Sequence, residues 1–198
     1  MGIPITVPDT RLILASASPR RRELLGQCAC AFAVVPSATD ETRLAAEAAS
    51  DYVLRVAADK ARAVWAEHPD ACVLGSDTAV VLDGRVLGKP ADAEEARAML
   101  TDLSGRTHEV LSAVALIGPD GRCRTRLSVT RVEFALLPEA WIDAYAASGD
   151  GLDKAGAYGI QNSAGLWIRR IEGSYTGVVG LPLFETAALL REAGLISD

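Results

Sequence analysis

The sequence contains few of the residues on which several common classes of protein depend. It has two histidines and four cysteines in 198 residues, and no two cysteines form a CxxC pair, so we do not expect a zinc site. Single scattered cysteines are typical of a reducing cytosol. No run approaches the ~20 apolar residues of a membrane helix, and the first residues lack the regions of a signal peptide. We therefore expect a cytoplasmic protein that does not act at a membrane.

Positive charge is also scarce. The formal net charge is −6, whereas a general nucleic-acid binder has a basic face, so no nucleic-acid partner is expected. A small polyanion can still bind where a few cations converge or a divalent metal intervenes. Only three of the 20 basic residues are lysines, namely Lys60, Lys89 and Lys154. Each marks a position that needs a compact ammonium group rather than a planar guanidinium, or has survived by chance.

The order of the predicted elements indicates an α/β fold. Predicted strands alternate with helices, among them helices over residues 44–67 and 93–103. A hairpin signal at Asp83-Gly84, between strands over residues 78–82 and 85–87, implies a mixed rather than a parallel sheet. A separate strand over residues 71–76 leads into Asp77. No linker or repeat divides the chain, so we expect a single domain.

Residues 12–24 form the most informative segment. An apolar run ends in Ser16 and Ser18, and Pro19 and three arginines follow before an apolar-periodic stretch. This order predicts a strand, a tight loop and a helix. A helix N-terminus offers unpaired N–H donors and partial positive charge, which suit a phosphate group. The alternative is a basic first turn that faces only solvent.

Three acidic residues are candidates for metal binding or water activation. Asp77 follows a predicted buried strand, and ligands of α/β sheets gather at the carboxyl ends of strands. Asp40 and Glu41 lie in a loop and could help Asp77 to hold Mg²⁺, which prefers few carboxylates together with substrate phosphates. The alternatives are a turn or capping aspartate and a solvated acidic pair.

Cationic and amide side chains provide further candidates. Lys60 continues the apolar stripe of the long helix, so it either extends its ammonium to solvent or points into a cleft. Lys89 lies between a glycine and a proline, although most loop lysines are simply exposed. Gln161 could bind the edge of a base through its amide, unless residues 153–161 form only a glycine-rich turn with Tyr158 in the core.

Residues 104–108 allow two interpretations. Arg106 could bind phosphate and His108 could act as a general base, or the segment simply begins a surface strand. There is no GxSxG nucleophile elbow and no recognisable nucleophile triad.

Together these segments resemble the Maf family of nucleoside triphosphate pyrophosphatases, also called septum-formation proteins. The resemblance extends over residues 12–190 as an ordered set of motifs. The matching segments are 16–21, 40–41, 60–61, 75–78, 88–90, 104–108, 153–161, 173–175 and 178–182.

This resemblance implies a mixed twisted sheet flanked by helices, with two lobes and a central cleft, similar to inosine triphosphate pyrophosphatases. A single Maf-like domain would cover residues 1–198. The implied reaction is house-cleaning cleavage of a nucleoside triphosphate to the monophosphate and pyrophosphate, with a divalent cation, Mg²⁺ or Mn²⁺. In our hypothesis, Asp77 binds the metal and orients or deprotonates water, and Glu41 is a second ligand.

By position, the resemblance also assigns the substrate-binding residues. Asp77 matches the proton acceptor, and the polar cleft set is matched by Ser16, Arg21, Glu41, Lys60 and Lys89. Three residues match the specificity positions of the branch that acts on dTTP and UTP: Arg20, Thr78 and Gln161.

Two other functions remain open at this point. One is the sister branch that acts on 7-methyl-GTP, and the other is a non-catalytic nucleotide sensor that regulates cell division. The oligomeric state is also open, with a homodimer as one option. The chain departs from the family pattern at Gly177, at Ser112-Ala113 and in the loop of residues 149–152, which bears on loop geometry and substrate preference.

Overall fold

The computed structural model describes residues 11–28 and 30–197, which build one seven-stranded mixed sheet. Its strands are β1 (Leu12–Leu14), β2 (Ala33–Val34), β3 (Cys72–Leu82), β4 (Arg85–Leu87), β5 (Thr107–Ile117), β6 (Cys123–Phe134) and β7 (Ile168–Glu172). The main order is β2-β1-β3-β5-β6-β7, and β4 pairs with β3. β1 is parallel to β2 and β3, whereas the other pairs are antiparallel. The mixed sheet expected from the sequence is confirmed.

Helices connect and cover these strands. They are α1 (Pro19–Gly26), α2 (Ala49–Trp65), α3 (Ala93–Leu103), α4 (Glu139–Ser148), α5 (Tyr175–Val179) and α6 (Leu183–Glu192), with 3₁₀ turns at Ala155–Ala157 and Ser163–Trp167. The sequence did not predict α5. The signal-peptide prediction concerns residues outside the described part of the chain.

The start of α2 corrects the predicted helix over residues 44–67. Ala46 has a φ of 59°, outside the right-handed helical region. Glu47 folds back so that its carboxylate accepts from the Leu44 N–H and pairs with Arg55. These local bonds compete with helix formation, and α2 therefore begins only at Ala49.

The strands carry apolar side chains on both faces because alternate residues of a strand point in opposite directions. On one face, α2 packs over Ile13, Val73 and Ala79. The opposite face, which includes Leu14 and Leu74, belongs to the larger core with the other long helices. Among the described residues, no helix has the length and apolar character needed to cross a membrane.

β3 corrects a second prediction, since it runs unbroken through Asp77 instead of ending before it. β5 pairs with it from Val73 to Val81, and this long-range ladder keeps the strand extended. On the other edge, β1 pairs only with Cys72–Leu74 and β4 only with Val80–Leu82. The edge of β3 around Asp77 therefore lies open between β1 and β4. The expected strand end beside Asp77 is that of β1, not that of β3.

Candidate active site

A cleft of about 480 Å³ opens at this gap in the sheet. Its walls come from the β1–α1 loop, α2, the middle of β3, the loop after β4 and two segments from the second half of the chain. All the residues that the family resemblance assigns to catalysis, substrate binding or metal binding line it. They are Ser16, Arg20, Arg21, Glu41, Lys60, Asp77, Thr78, Lys89 and Gln161.

The centre of the cleft is an ion-pair triad of one lysine and two carboxylates. Lys60 Nζ lies 2.8 Å from Asp77 Oδ1 and 2.9 Å from Glu41 Oε1. Lys60 is 6% exposed and Asp77 4% exposed, whereas Glu41 is exposed at the mouth of the cleft. The ammonium of Lys60 thus points into the cleft instead of extending to solvent.

This triad depends on close contact between α2 and β3. Gly75 lies on the same face of β3 as Asp77, and a Cβ at Gly75 would overlap the Ala57 carbonyl oxygen and the Ala61 nitrogen. Only glycine allows the helix backbone to come this near to the strand. The lysine on α2 can therefore reach the aspartate on β3.

Tyr52 is a cleft residue that sequence reasoning missed. Its hydroxyl donates a hydrogen bond to the Glu41 carbonyl oxygen at 3.0 Å and so holds the loop that carries this carboxylate. Burial, together with the negative charges of Asp77 and Glu41, raises the pKa of Tyr52 to about 12. Its place two turns before Lys60 on the same helix was the available signal.

The β1–α1 loop has the predicted strand, loop and helix geometry. Ser18 caps α1 by accepting from the Arg21 N–H, and Pro19 occupies the first turn. Arg21 donates from Nε to the Gly180 carbonyl oxygen at 2.9 Å and from Nη1 to Ser16 Oγ at 3.4 Å. Burial lowers the pKa of Arg21, although Asp77 and Glu41 oppose this effect. Its guanidinium is thus fixed toward the carboxylates of the triad.

The other face of β3 contributes hydroxyl groups. Ser76 Oγ donates to the Gly180 carbonyl oxygen at 3.2 Å, and Thr78 Oγ1 lies 2.9 Å from Ser112 Oγ. Ser112 in turn donates to the Gly177 carbonyl oxygen at 2.6 Å. Two of the departures from the family pattern, Ser112 and Gly177, therefore meet directly behind Thr78.

The rim of the cleft is less constrained. Arg20 pairs with Asp153 at 2.9 Å. Lys89 and Gln161 are exposed, and neither side chain makes a hydrogen bond within the part of the chain that the structure describes. Their polar groups are available to a ligand.

Three other candidates lie outside the cleft lining. Asp40 accepts from the Thr42 N–H at 2.8 Å, and Arg106 pairs with Asp83 in the β3–β4 turn. His108 is buried in the core, where Nε2 lies 2.7 Å from the Tyr158 hydroxyl, and burial lowers its pKa to about 4. The interpretations of Arg106 as a phosphate ligand and His108 as a general base are therefore wrong.

The carboxylates of the cleft fit a divalent cation. Asp77 Oδ2 is buried and has no hydrogen-bond partner among the described residues. Its hard oxygens and those of Glu41 are the ligand type that Mg²⁺ and Mn²⁺ prefer. No group of three His, Cys, Asp or Glu side chains in residues 11–28 and 30–197 could hold a metal alone, so a cation at this pair would need further ligands such as water or phosphate oxygens.

The fold and the cleft define an α/β protein with clustered cations and carboxylates at a strand end, an arrangement suited to phosphorylated small molecules. The sequence profile described as "Maf-like protein" matches residues 11–193, and the chain belongs to this family.

Close relatives agree over nearly the full length. A dTTP/UTP pyrophosphatase from Methylobacillus flagellatus is 54% identical over 188 residues, which cover 94% of each chain. One from Anaeromyxobacter dehalogenans is 56% identical over 187 residues, with 93% of this chain and 94% of the relative covered. Among solved structures, a HAM1 protein from Coxiella burnetii has a TM-score of 0.50 at 18% identity and covers 91% of this chain and 98% of its own. That similarity concerns the fold alone.

Proposed function

We propose that the protein hydrolyses nucleoside triphosphates, with dTTP and UTP as preferred substrates, to the monophosphate and pyrophosphate. The relatives named dTTP/UTP pyrophosphatase support this substrate class. The observation that carries the proposal is the contact of Lys60 with both Asp77 and Glu41 inside one cleft with Arg21. A site for a neutral ligand has no need for so many opposite charges.

In the proposed reaction, Asp77 orients a water molecule and accepts one of its protons. The water oxygen forms a bond to the α-phosphorus while the bond from that phosphorus to the α,β-bridging oxygen breaks. Pyrophosphate leaves with the bonding electrons, and the monophosphate keeps the new oxygen. Burial of Asp77 limits competition from bulk solvent.

The cationic side chains stabilise the charge that develops on the triphosphate. Arg21 is already fixed by the Gly180 carbonyl oxygen, so it needs little reorganisation when substrate binds. Lys89 and Arg20 approach from the rim, and Ser16 adds a hydroxyl group beside α1. Position and electrostatics therefore supply the catalysis without a covalent intermediate.

A divalent cation, held by Asp77 and Glu41 together with substrate phosphates, would supply Lewis-acid polarisation of the phosphoryl oxygens. The residues of the chain keep their roles as binding groups and proton acceptor.

Substrate preference is proposed to come from Gln161, Thr78 and Arg20. Gln161 presents at the rim an amide that makes no hydrogen bond to residues 11–28 or 30–197, and this amide can pair with the edge of a pyrimidine base. Thr78 is held in one orientation by Ser112.

The test is a nucleotide panel with Mg²⁺ or Mn²⁺ in which liberated pyrophosphate is measured. We expect release from dTTP and UTP to exceed release from purine nucleotides and 7-methyl-GTP. Preference for 7-methyl-GTP would assign the chain to the sister branch. Tight nucleotide binding without any pyrophosphate would instead support a sensor and overturn the proposal.

A further inference from the structure

The ammonium group of Lys60 lies between the two carboxylates, where a metal ion bound to both of them would also lie. This ammonium contacts Asp77 and Glu41 at hydrogen-bond distance. The side chain starts from the buried face of α2, between Val56 and Val64, and is itself 6% exposed. In this arrangement the lysine contacts both carboxylates and offsets one of their two negative charges without any ligand.

This contact has an electrostatic consequence for metal binding. A divalent cation at Asp77 and Glu41 would share their charge with an ammonium group a few ångströms away, and two cations repel strongly in a buried site. The cation therefore competes with Lys60 for the same two carboxylates, even though Lys60 contacts Asp77 through Oδ1 and leaves Oδ2 without a partner among the described residues. Lys60 can leave them without an unpaired buried charge only where another anion is near.

A nucleoside triphosphate supplies such an anion. Lys60 and Arg21 line the same cleft, so phosphate oxygens bound there can replace the carboxylates as acceptors of hydrogen bonds from the Lys60 ammonium. Phosphate oxygens can also complete the metal ligand set, for which the protein supplies too few groups among its described residues.

We propose that Lys60 is a positioning residue that couples the two ligands: it blocks the carboxylates against divalent cations until the polyphosphate draws its ammonium away. This inference rests on the proposed function, because it takes Asp77 and Glu41 as the metal ligands. Thermodynamic reciprocity then requires that the metal also strengthens nucleotide binding through the release of Lys60.

The test measures Mn²⁺ binding to the nucleotide-free protein by electron paramagnetic resonance of free Mn²⁺. We expect Lys60→Met to bind Mn²⁺ about tenfold or more tightly than the wild type, within the usual range of coupling between sites. A purely structural defect would weaken binding instead. Unchanged or weaker binding by a folded Lys60→Met protein would overturn the proposal.

Lys89→Met is the matched control, since it removes the same charge from the same cleft but no contact with the carboxylates. An increase as large as that of Lys60→Met would reduce the effect to general electrostatics and refute a specific block. Asp77→Asn must abolish Mn²⁺ binding, so that the full signal of free Mn²⁺ remains; binding that persists in this variant would place the metal elsewhere and equally overturn the proposal.

A second arm repeats the titration with a non-hydrolysable α,β-methylene analogue of dTTP. The factor by which the analogue strengthens Mn²⁺ binding should fall in Lys60→Met, and an unchanged factor would contradict the coupling. Where circular dichroism shows that Lys60→Met does not fold, Lys60→Gln replaces it, with the same expectations. Pyrophosphate release by the wild type is recorded separately, so loss of the coupling in an active enzyme refutes only the role of Lys60.

Discussion

At the scale of single residues, the side chains of the cleft are of two kinds. Some have hydrogen-bond or ion-pair partners within the protein, and others have no such partner among the described residues. Lys60 and Arg21 have partners within the chain, whereas Lys89 and Gln161 have none among the described residues. Substitution of a residue of the first kind should change both stability and activity. Substitution of a residue of the second kind should affect substrate binding or turnover and leave stability unchanged.

Asp77→Asn should lower kcat for dTTP by about 10²–10³, or about 3–4 kcal/mol of barrier, since an amide cannot accept the proton from water. The measurement is pyrophosphate release, together with a thermal melt to show that the variant folds. Asp70→Asn is the matched control, because Asp70 is exposed and outside the cleft lining. Near-normal turnover by Asp77→Asn would remove this residue from the mechanism.

Gln161→Ala should reduce kcat/KM for dTTP by the factor that corresponds to a loss of about 1–3 kcal/mol in transition-state stabilisation, the usual value of a bidentate contact with a base. The midpoint of urea unfolding should not move, since the side chain is exposed and has no hydrogen bond within the described residues. Asn162→Ala is a useful contrast, because Asn162 donates to Asp150 at 2.6 Å and its loss acts on the loop. Equal kcat/KM for wild type and Gln161→Ala would exclude base recognition by this amide.

At the scale of elements, the contact between α2 and β3 sets the position of Lys60 relative to Asp77. Gly75→Ala should separate the two elements and destabilise the protein by about 1–3 kcal/mol, as overpacking does. We also expect turnover of the folded variant to fall, since the 2.8 Å contact of Lys60 with Asp77 cannot survive the shift. Urea unfolding and pyrophosphate release measure the two effects.

Gly26→Ala is the control for this prediction. Gly26 is the last residue of α1, and a Cβ there would meet no atom within 4 Å. It should leave both stability and turnover near their wild-type values or slightly raise stability. A Gly75→Ala protein that behaved in the same way would show that the close approach is not required.

The 3₁₀ turn Ala155–Ala157 and the rim residues that follow it are anchored to the core by the buried contact between His108 and Tyr158. The folded-state pKa of His108 is about 4, below its ordinary value of 6.5. The unfolded chain therefore binds more protons between these pH values. The stability contribution of the neutral ring is complete above pH 6.5 and is lost as the pH falls toward 4, by an amount on the order of 3 kcal/mol.

His108→Gln keeps a hydrogen-bonding group but cannot titrate in this range. The difference in unfolding free energy between wild type and variant should change between pH 6.5 and pH 4. The measurement is urea unfolding at several pH values. A constant difference for His108→Gln would show that this ring is not protonated on unfolding.

At the scale of the whole molecule, we propose that the chain unfolds as a single domain, since one sheet joins all the strands and both apolar clusters share it. A non-hydrolysable dTTP analogue with Mg²⁺, at about 100 times its dissociation constant, should then raise the melting temperature by about 5–10 °C. Calorimetry should show one transition that moves as a unit. Two transitions, only one of them shifted by the ligand, would divide the lobes.

Local patterns predicted the parts of the fold that local bonds determine. The helix expected over residues 93–103 is α3, which Asp92 caps by accepting from the Glu95 N–H at 2.9 Å, and Asp83-Gly84 forms the expected β3–β4 turn. The Ser18 cap places α1 in the same way. In these segments the deciding contacts lie within a few residues of each other.

The errors arise where distant contacts decide. β3 continues through Asp77 because β5 pairs with it, and nothing in residues 71–77 contains that information. The sequence left the direction of Lys60 open, and the structure shows that its ammonium points inward to two carboxylates from other elements. Resemblance to a family identified the candidate residues, but the contact of Lys60 with both carboxylates is visible only in the structure.

The carbonyl oxygen of Gly180 accepts hydrogen bonds from Arg21 and Ser76, which precede it by more than half the chain. During synthesis, both carboxylates and the arginine leave the ribosome long before this acceptor exists. We therefore expect a nascent chain to fix Arg21 in the cleft, and to begin the proposed hydrolysis, only after residue 180 has been made and has folded onto the sheet.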